Sequence, residues 1–503
     1  MKKRLQIGVF IIGLTLILSL THNYWEGWIL GTFSIIIPIS AILIGIVIFL
    51  ENRNPTGTIA WMIVLAAFPI LGFIFYLLFG QSFRKKKRFA KKAWLDEQAF
   101  LKIEGNRQIS EPELNQMGDH QKNLFRLAHR IGNSPISFST ETKVLTNGDE
   151  KFAFLLKEMK NAKHHIHLEY YIVRDDVIGN QIKGILIQKA KAGVEVRFLF
   201  DAVGCWKLPS SYIDELSNAG VMMVPFSPVR FPVMNNQINF RNHRKICVVD
   251  GNIGFVGGLN IGDEYLGKSE YFGFWRDTHL YVRGEAVRSL QIIFLQDWYY
   301  MTGETLLTPD YLSPELVDID GSGGVQLLAG GPDNNWNVIK NVFFSMIISA
   351  KKSIWIESPY FIPDEDIFSA LRTAALSGID VRIIVPNKPD KRLVFHASRS
   401  YFIELLEAGV KIFEYGNGFL HSKVIIVDQE LASIGTANMD MRSFHLNFEV
   451  NAFLYKTNST EKLVVDFLND LHASNEIYFE EFQTRSIYQR IIESTARLFS
   501  PLL

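Results

Sequence analysis

Two histidines in this chain begin the same short pattern, with a lysine two residues later and an aspartate seven residues later. The two copies comprise His243, Lys245 and Asp250, and His421, Lys423 and Asp428. An imidazole can act as a nucleophile or as a general acid near neutral pH, and an ammonium group stabilises the charge of phosphoryl oxygens. The residue types therefore predict chemistry on a phosphodiester, with the lysines supplying the positive charge. No metal and no other cofactor is expected.

Each copy continues into a matching tail. Gly257 and Gly435 lie 14 residues after the two histidines, and Asn260 and Asn438 lie 17 residues after them. A single pattern of this kind would be a weak motif, but two copies with the same tail indicate a duplication. Because duplicated half-sites usually face each other across a two-fold axis, we expect both histidines to enter one active site. Both asparagines and both motif lysines are predicted to bind its phosphate.

The motif aspartates have a different predicted role. Each motif lies at the start of an apolar strand, where residues two apart project from the same face, so the histidine and the lysine point together. Asp250 and Asp428 complete the catalytic motif by position, but they fall on the opposite face at the far end of the strand. We therefore expect each aspartate to act structurally, as a cap or as a charge partner at the following turn.

The duplication extends well beyond the motifs. Residues 162–172 align with residues 350–362, and residues 193–200 align with residues 378–385, each pair combining a helix end with an apolar strand. Strands that alternate with helices predict an α/β class, here two α/β/α lobes related by pseudo-two-fold symmetry. The predicted organisation is an anchor over 1–80, a basic linker and helical lead-in over 81–140, lobe 1 over 141–320 and lobe 2 over 321–503.

The chain opens with three apolar runs, Leu5–Leu20, Ile29–Leu50 and Ile59–Phe79. The second and third carry no charge and reach the length of about 20 residues that a transmembrane helix needs. The first is shorter, so two or three spans remain open. The basic run Arg84–Lys92 follows, and such runs stay on the cytoplasmic side and attract anionic lipid headgroups. The sequence thus predicts a multi-pass protein with cytoplasmic lobes.

Composition narrows the class further. The chain has 503 residues, a net charge of zero and 48% apolar residues. Without a global positive field, nucleic acid is not an expected partner. The two cysteines, Cys205 and Cys247, stand in no metal-binding spacing and cannot build a disulfide framework.

The doubled motif resembles that of the phospholipase D superfamily. With the apolar runs, the basic run, Asn242–Lys245 and Phe274–Asp277, the whole chain is similar to bacterial cardiolipin synthases of that superfamily. The resemblance implies transfer of a phosphatidyl group between two phosphatidylglycerol molecules through a phosphatidyl-histidine, giving cardiolipin and glycerol. It implies His243 as nucleophile and His421 as general acid and then base, although the opposite order stays open.

The same resemblance implies that a carboxylate on a later strand orients each histidine. By order along the chain, Asp277 suits His243 and Glu449 suits His421. Glu169 and Glu357 recur in both halves, and their roles, structural or supporting the site, are left open.

Several alternatives remain at this stage. The motifs do not distinguish water from an alcohol as acceptor, so a phosphodiester hydrolase is the nearest alternative, and a catalytically silent membrane scaffold is a further one. The segment Val224–Met234 is predicted to be a loop that covers the core or contacts lipid. The run Ile487–Phe499 is predicted to be a helix that packs on lobe 2 or lies on a membrane surface. The oligomeric state is left open.

Overall fold

The computed structural model describes residues 42, 45–46, 55–67, 72, 92, 114, 117–228, 239–312, 319, 321–334 and 336–503. In the N-terminal unit the described element is helix α1 (Pro55–Ala67), which overlaps the third apolar run. The predicted run Leu5–Leu20 and most of Ile29–Leu50 lie outside the described residues. Within the described part of the chain, no helix has the length and apolar character that a membrane crossing requires.

The first catalytic lobe, lobe 1, is built on a seven-stranded sheet. Its strands are β1 (Thr140–Thr146), β2 (His165–Tyr170), β3 (Glu195–Asp201), β4 (Met222–Phe226), β5 (Ile246–Val249), β6 (Ile253–Gly257) and β8 (Thr278–Gly284), with β7 (Trp275–Arg276) outside the sheet. The helices in this part of the chain are α2 (Asp119–Gly132), α3 (Asn147–Asn161), α4 (Val177–Lys191), α5 (Ser210–Asn218), α6 (Val287–Thr302) and α7 (Pro309–Leu312). The strand order is β1-β8-β6-β5-β2-β3-β4, in which β2, β3 and β4 are parallel neighbours.

The second lobe, lobe 2, has an eight-stranded sheet. The strands in this half are β9 (Gly324–Gly330), β10 (Ser353–Glu357), β11 (Phe361–Ile362), β12 (Asp380–Pro386), β13 (Lys411–Tyr415), β14 (Phe419–Leu420), β15 (Val424–Val427), β16 (Leu431–Gly435), β17 (Met439–Asp440), β18 (Glu449–Tyr455) and β19 (Ser474–Ile477). The helices are α8 (Val338–Ser349), α9 (Glu365–Leu376), α10 (Arg392–Arg399), α11 (Phe402–Glu407), α12 (Met441–His445), α13 (Asn458–His472), α14 (Phe479–Gln483) and α15 (Ile487–Arg497).

The strand order of lobe 2 repeats that of lobe 1. The order β9-β18-β16-β15-β10-β12-β13 matches the seven strands of lobe 1 one for one, and β19 adds an edge beside β13. The motif strands β5 and β15 hold equivalent central positions, and all their residues are buried. Mostly β-branched, apolar side chains suit a strand that is covered on both faces. The prediction of a duplicated α/β fold is confirmed.

The two lobes are joined by backbone pairing as well as by apolar packing. Strand β7 of lobe 1 pairs in parallel with β14 of lobe 2, and Asn242 forms a bridge with Phe448. One apolar core contains buried residues of both sheets, including Ile246 and Val424 from the two motif strands. Both kinds of contact fix the position of one lobe against the other at the points where the motifs begin.

The motif aspartates act as caps between strands. The Asp250 carboxylate accepts hydrogen bonds from the backbone N–H groups of Lys163, His164 and His165, at 2.8, 2.8 and 3.0 Å. Asp250 has a left-handed backbone with φ of 51°, at the end of β5 opposite His243. These contacts fit the structural role expected for Asp250, because its acceptor oxygens hold the start of β2, whereas its part in catalysis stays a prediction.

Asp428 repeats this arrangement in lobe 2. It accepts from the N–H groups of Lys351, Lys352 and Ser353 at 2.9, 2.7 and 2.9 Å, and its φ is 53°. Its expected structural role fits these contacts in the same way, and its part in catalysis also stays a prediction. Each aspartate couples the motif strand to the neighbouring strand, β2 or β10.

Two segments differ from, or refine, the predictions. Val224–Phe226 belongs to β4 and is not a loop, because β4 is an edge strand and Pro225 can occupy an edge without breaking a central ladder. Residues 227 and 228 of the predicted loop are described, and residues 229–234 lie outside the described residues. Helix α15 is buried at Glu493 and Ala496, whereas Ile487 and Tyr488 are exposed, so its packing face is not its apolar face.

We predict that Asp250→Ala lowers the urea midpoint of unfolding by the equivalent of about 1–2 kcal/mol, because three backbone N–H groups at the start of β2 lose their acceptor. Asp250→Asn should lose less, since asparagine tolerates the left-handed backbone and retains one acceptor oxygen. Fluorescence-detected unfolding of the full chain in detergent measures both. An unchanged midpoint for Asp250→Ala would contradict the capping role.

Candidate active site

Each motif histidine is held by a carboxylate from the other lobe. Nδ1 of His243 lies 2.9 Å from Oε2 of Glu449, and Nδ1 of His421 lies 2.7 Å from Oδ2 of Asp277. Both carboxylates are completely buried. The residues that sequence analysis proposed as orienting groups are therefore in place, but the predicted pairing was wrong, because each carboxylate serves the opposite histidine.

The contacts between the lobes explain the exchange. Asp277 directly follows β7, whose partner β14 leads into His421, and the His421 N–H donates to the Arg276 carbonyl at 2.7 Å. Glu449 directly follows Phe448, whose carbonyl accepts from the His243 N–H at 2.9 Å. The backbone pairs thus place each carboxylate beside the motif of the other lobe.

The two motif lysines lie next to their histidines. Nζ of Lys245 donates to the His243 carbonyl at 2.7 Å, and Nζ of Lys423 lies 3.0 Å from Nδ1 of His421. Both lysines are buried. Two buried ammonium groups beside one cleft create a strong positive potential, which suits an anionic substrate.

The site shifts the pKa values of its bases. Burial, followed by the charges of Lys245 and Lys423, lowers the pKa of His243 well below its ordinary value. Burial and then Lys423 lower the pKa of His421 to about 4. Burial also lowers the pKa of Lys245 to about 7 and that of Lys423 to about 8. The free site therefore holds neutral imidazoles, and an anion bound there would raise these pKa values again.

The two carboxylates differ in their electrostatic state. Burial raises the pKa of Glu449 to about 7, even though Lys245 opposes the shift. Burial would also raise the pKa of Asp277, but the charges of Lys423 and His421 outweigh it and keep this pKa below its ordinary value. Asp277 is consequently the firmer anion, and an anion at Nδ1 stabilises the protonated form of its imidazole.

Both histidines open into one cleft of about 750 Å³. Asn260 and Asn438 also line it, as the sequence predicts. Asn260 donates from Nδ2 to the Tyr265 hydroxyl at 3.0 Å, and Asn438 donates from Nδ2 to Asp440 at 3.1 Å. The two amides therefore already have protein partners, and their predicted contact with phosphate stays a prediction.

Behind the motifs lie two buried ion clusters that the sequence did not reveal. In lobe 1, Arg244 pairs with Asp297, and Glu169 accepts from the Asn242 amide. The Arg244 guanidinium also stacks on the Phe448 ring at 5.5 Å. Burial and the neighbouring Asp297 raise the pKa of Glu169. Arg244 and Lys92, both paired with Asp297, outweigh its burial and keep the pKa of Asp297 below its ordinary value.

The cluster of lobe 2 obtains its arginine from the other lobe. Arg276 donates from Nε to Asp470 at 2.7 Å, and Glu357 accepts from the Ser422 hydroxyl. Burial and Asp470 raise the pKa of Glu357 to about 8. Glu169 and Glu357, whose roles the sequence left open, therefore support the motifs from behind and do not line the cleft.

The cluster residues occupy corresponding positions in the duplicated sequence. Arg244 follows the first motif histidine and Ser422 follows the second, whereas Phe448 and Arg276 directly precede the two orienting carboxylates. The arginine therefore follows the histidine in the first motif but precedes the carboxylate at the second site. Each ion cluster still contains one arginine. The exchanged positions of the arginines become visible only when the two halves are aligned and each orienting carboxylate is assigned to the histidine of the other lobe.

The fold and the site define a phospholipase D-like enzyme, and comparison with known proteins places it within that class. A family model described as "Cardiolipin synthase, PLD-like domain" matches residues 155–298 and 343–471, and one described as phospholipase D-nuclease N-terminal matches residues 39–81. The chain belongs to the cardiolipin synthases of the phospholipase D superfamily.

Several relatives match over the full length. A cardiolipin synthase of Halalkalibacterium halodurans is 67% identical over 100% of both chains, and one of Geobacillus sp. (strain WCH70) is 64% identical over 100% of both. A crystal structure of phosphatidylserine synthase from Haemophilus influenzae shares the fold, with a TM-score of 0.56 and 16% identity, over 76% of this chain and 100% of that one. The chain is accordingly a cardiolipin-forming phosphatidyltransferase.

We expect Glu449→Gln and Asp277→Asn each to lower the turnover number for cardiolipin by about 10²–10⁴-fold, because an amide can favour the wrong imidazole tautomer. The exposed Glu430→Gln serves as the matched control and should leave turnover unchanged. Steady-state assays in detergent micelles measure all three. Full turnover in either of the first two variants would contradict the orienting role.

The lysine pKa values predict a pH effect on substrate binding. As the pH rises through about 7 to 8, Lys245 and then Lys423 lose their charge in the free enzyme, so KM for an anionic lipid should rise. Lys245→Arg should weaken this dependence, because arginine stays protonated throughout. KM measured between about pH 6 and pH 9 provides the check. A flat profile for the wild-type chain would rule this explanation out.

Proposed function

We propose that this cleft transfers a phosphatidyl group from one phosphatidylglycerol to another through a covalent phosphatidyl-histidine, releasing glycerol and forming cardiolipin. One observation carries the proposal. Two histidines from different lobes, each held at Nδ1 by a buried carboxylate, face one cleft beside two buried lysines. That set provides a nucleophile, a proton donor and charge stabilisation for a single phosphodiester.

In the first step, Nε2 of His243 attacks the phosphorus of the donor lipid and forms an N–P bond. The P–O bond to the glycerol headgroup breaks, and His421 gives its Nε2 proton to the departing oxygen. Lys245 and Lys423 stabilise the negative charge that develops on the phosphoryl oxygens. Glycerol then leaves the cleft.

In the second step, His421 is neutral and acts as the base. It takes the proton of the primary hydroxyl of a second phosphatidylglycerol, whose oxygen attacks the phosphorus. The N–P bond breaks, His243 is regenerated, and cardiolipin forms with all atoms accounted for. His421 ends the second step protonated and becomes neutral in the free site, where its pKa is about 4. It is protonated again when the anionic phosphate of the next donor raises that pKa.

The unequal carboxylates support this assignment of roles. The firmly ionised Asp277 favours a protonated His421, which is the form a general acid requires. Glu449, whose pKa burial raises to about 7, places less negative charge beside His243. His243 therefore has the weaker tendency to hold a second proton, which suits a nucleophile.

We further propose that residues 1–80 anchor the enzyme as a multi-pass segment in the cell membrane, with the lobes on the cytoplasmic side. The apolar runs and the basic run Arg84–Lys92 support this topology, since basic flanks stay inside and attract anionic headgroups. In α1, Ile59 and Ile63 are exposed by 56% and 62%, as lipid-facing side chains would be.

The product assay tests the reaction itself. The full chain in detergent micelles, supplied with phosphatidylglycerol labelled in its glycerol headgroup, should release labelled glycerol and form cardiolipin. Phosphatidic acid as the main product would identify a hydrolase, which shares the first step. Absence of turnover would favour a silent scaffold, and either outcome would overturn the proposal.

Adduct mapping tests the assignment of roles. The N–P bond is labile in acid, so the enzyme is reacted with phosphatidylglycerol labelled at its phosphorus, quenched in base, digested and sequenced. We expect label on the peptide containing His243 and none on the peptide containing His421. His243→Ala and His421→Ala should each abolish cardiolipin formation. Label at His421 would reverse the roles, and cardiolipin formation by either variant would contradict the two-histidine mechanism.

A further inference from the structure

We propose that Arg442 binds the phosphate of the second, attacking lipid and so forms an acceptor subsite for a phosphodiester monoanion. This inference rests on the proposed transfer reaction, in which both substrates carry a phosphate. Only one of these phosphates reacts. The other must enter the same cleft while remaining intact, and it needs a cation of its own.

Arg442 is a cation in the cleft wall, and its guanidinium bonds to backbone carbonyls. Its Nη2 donates to the Asn239 carbonyl at 2.9 Å and its Nη1 to the Leu502 carbonyl at 3.3 Å. Its backbone N–H donates to the terminal residue Leu503 at 2.8 Å, and no side-chain carboxylate of the described residues forms an ion pair with its guanidinium. Two carbonyls orient the guanidinium and leave its charge available to a ligand.

The nearest other guanidinium is already paired. Arg241 donates to Asp201 at 3.3 Å, and Asp201 also accepts the N–H groups of Val203, Gly204 and Asn242. Burial, and then the proximity of Arg241, lower the pKa of Arg442. A buried Arg241 and a half-buried Arg442, with one firmly engaged carboxylate, leave an excess of positive charge, which an anion would relieve.

Asp440 and Glu449 are the carboxyl groups that act on the pKa of Arg442, and both are engaged elsewhere. Glu449 is engaged with the first motif histidine. Asp440 accepts from the Ser443 N–H at 2.6 Å and from the Asn438 amide at 3.1 Å. Burial raises its pKa, which reduces the negative charge it offers. Asp440 therefore moderates the excess positive charge beside Arg442 without forming an ion pair with it.

Arg442, Tyr171 and His243 line the same cleft. The Tyr171 ring packs edge-on against His243, with centroids 5.0 Å apart, and burial raises the pKa of its phenol while the charge of Arg442 opposes that shift. An intact phosphate on Arg442 would therefore share the cleft with the phosphorus that reacts with His243. A glycerol headgroup separates its free primary hydroxyl from its own phosphate by about 6 Å, a few covalent bonds of about 1.5 Å.

This placement accounts for selection of the acceptor. With its phosphate on Arg442, a second phosphatidylglycerol presents its primary hydroxyl to the phosphatidyl-enzyme. Water and free glycerol carry no phosphate and gain nothing from this cation. Arg442 therefore acts in acceptor binding and not in the cleavage of the donor.

The test compares two reactions of one enzyme. Cardiolipin formation uses an acceptor that carries a phosphate, whereas exchange of labelled free glycerol into phosphatidylglycerol uses the same donor with an uncharged acceptor. We expect Arg442→Gln to reduce cardiolipin formation by about tenfold or more and to change glycerol exchange by less than about twofold. Arg442→Lys retains the charge and should recover part of the cardiolipin activity.

Arg490→Gln, an exposed arginine on α15, is the matched control and should leave both reactions unchanged. Retained exchange in Arg442→Gln also shows that the variant is folded. If both reactions fall together in Arg442→Gln and in Arg442→Lys, or if neither changes, the acceptor subsite is overturned while the transfer reaction stands. A wild-type chain that performs neither reaction overturns the proposed function as well.

Discussion

The crossed pairing of imidazole and carboxylate is the constraint on which the rest of the site depends. His243 takes its orienting group, Glu449, from lobe 2, and His421 takes Asp277 from lobe 1. A neutral imidazole acts as a base or nucleophile at Nε2 only when Nδ1 carries the proton, so each lobe sets the tautomer of the other. Neither lobe alone contains a correctly oriented histidine. The strand pairs and the shared apolar core between the sheets are therefore part of the catalytic apparatus.

Burial strengthens the charges of the site and also makes any unpaired charge there costly in free energy. Inside the cleft the charges of two lysines are poorly screened, which strengthens their action on a phosphoryl group and lowers their own pKa values. The ion clusters behind the motifs place further arginines and acids in the interior, where an unpaired charge would cost several kcal/mol. Apolar packing around the site therefore strengthens the interactions between its charges. The ion pairs in turn reduce the free-energy cost of burying those charges in an apolar interior.

The sequence predicted the duplicated sheet and the identity of the site residues because both depend on local spacing that occurs twice. It did not predict which carboxylate meets which histidine, since that depends on which strand ends pair between lobes. Order along the chain predicted that each histidine uses the carboxylate that follows it in its own lobe. The bridge between Asn242 and Phe448 instead places Glu449 beside His243. Proline content likewise suggested a loop at Val224, where an edge position permits a strand. Arg442 carried no spacing signal that separated it from other surface arginines.

The exchanged arginine links the evolution of the two halves. In one half Arg244 stacks on Phe448, and in the other Ser422 stands where Arg276 reaches in from the opposite lobe. Restoring strict symmetry at one of these positions alone would leave one cluster with two guanidinium groups or with none. Drift after the duplication must therefore have proceeded through coupled changes, and sequences of this lineage should alter these sites in concert. The two lobes are duplicates in fold, but the residues that complete their ion clusters differ.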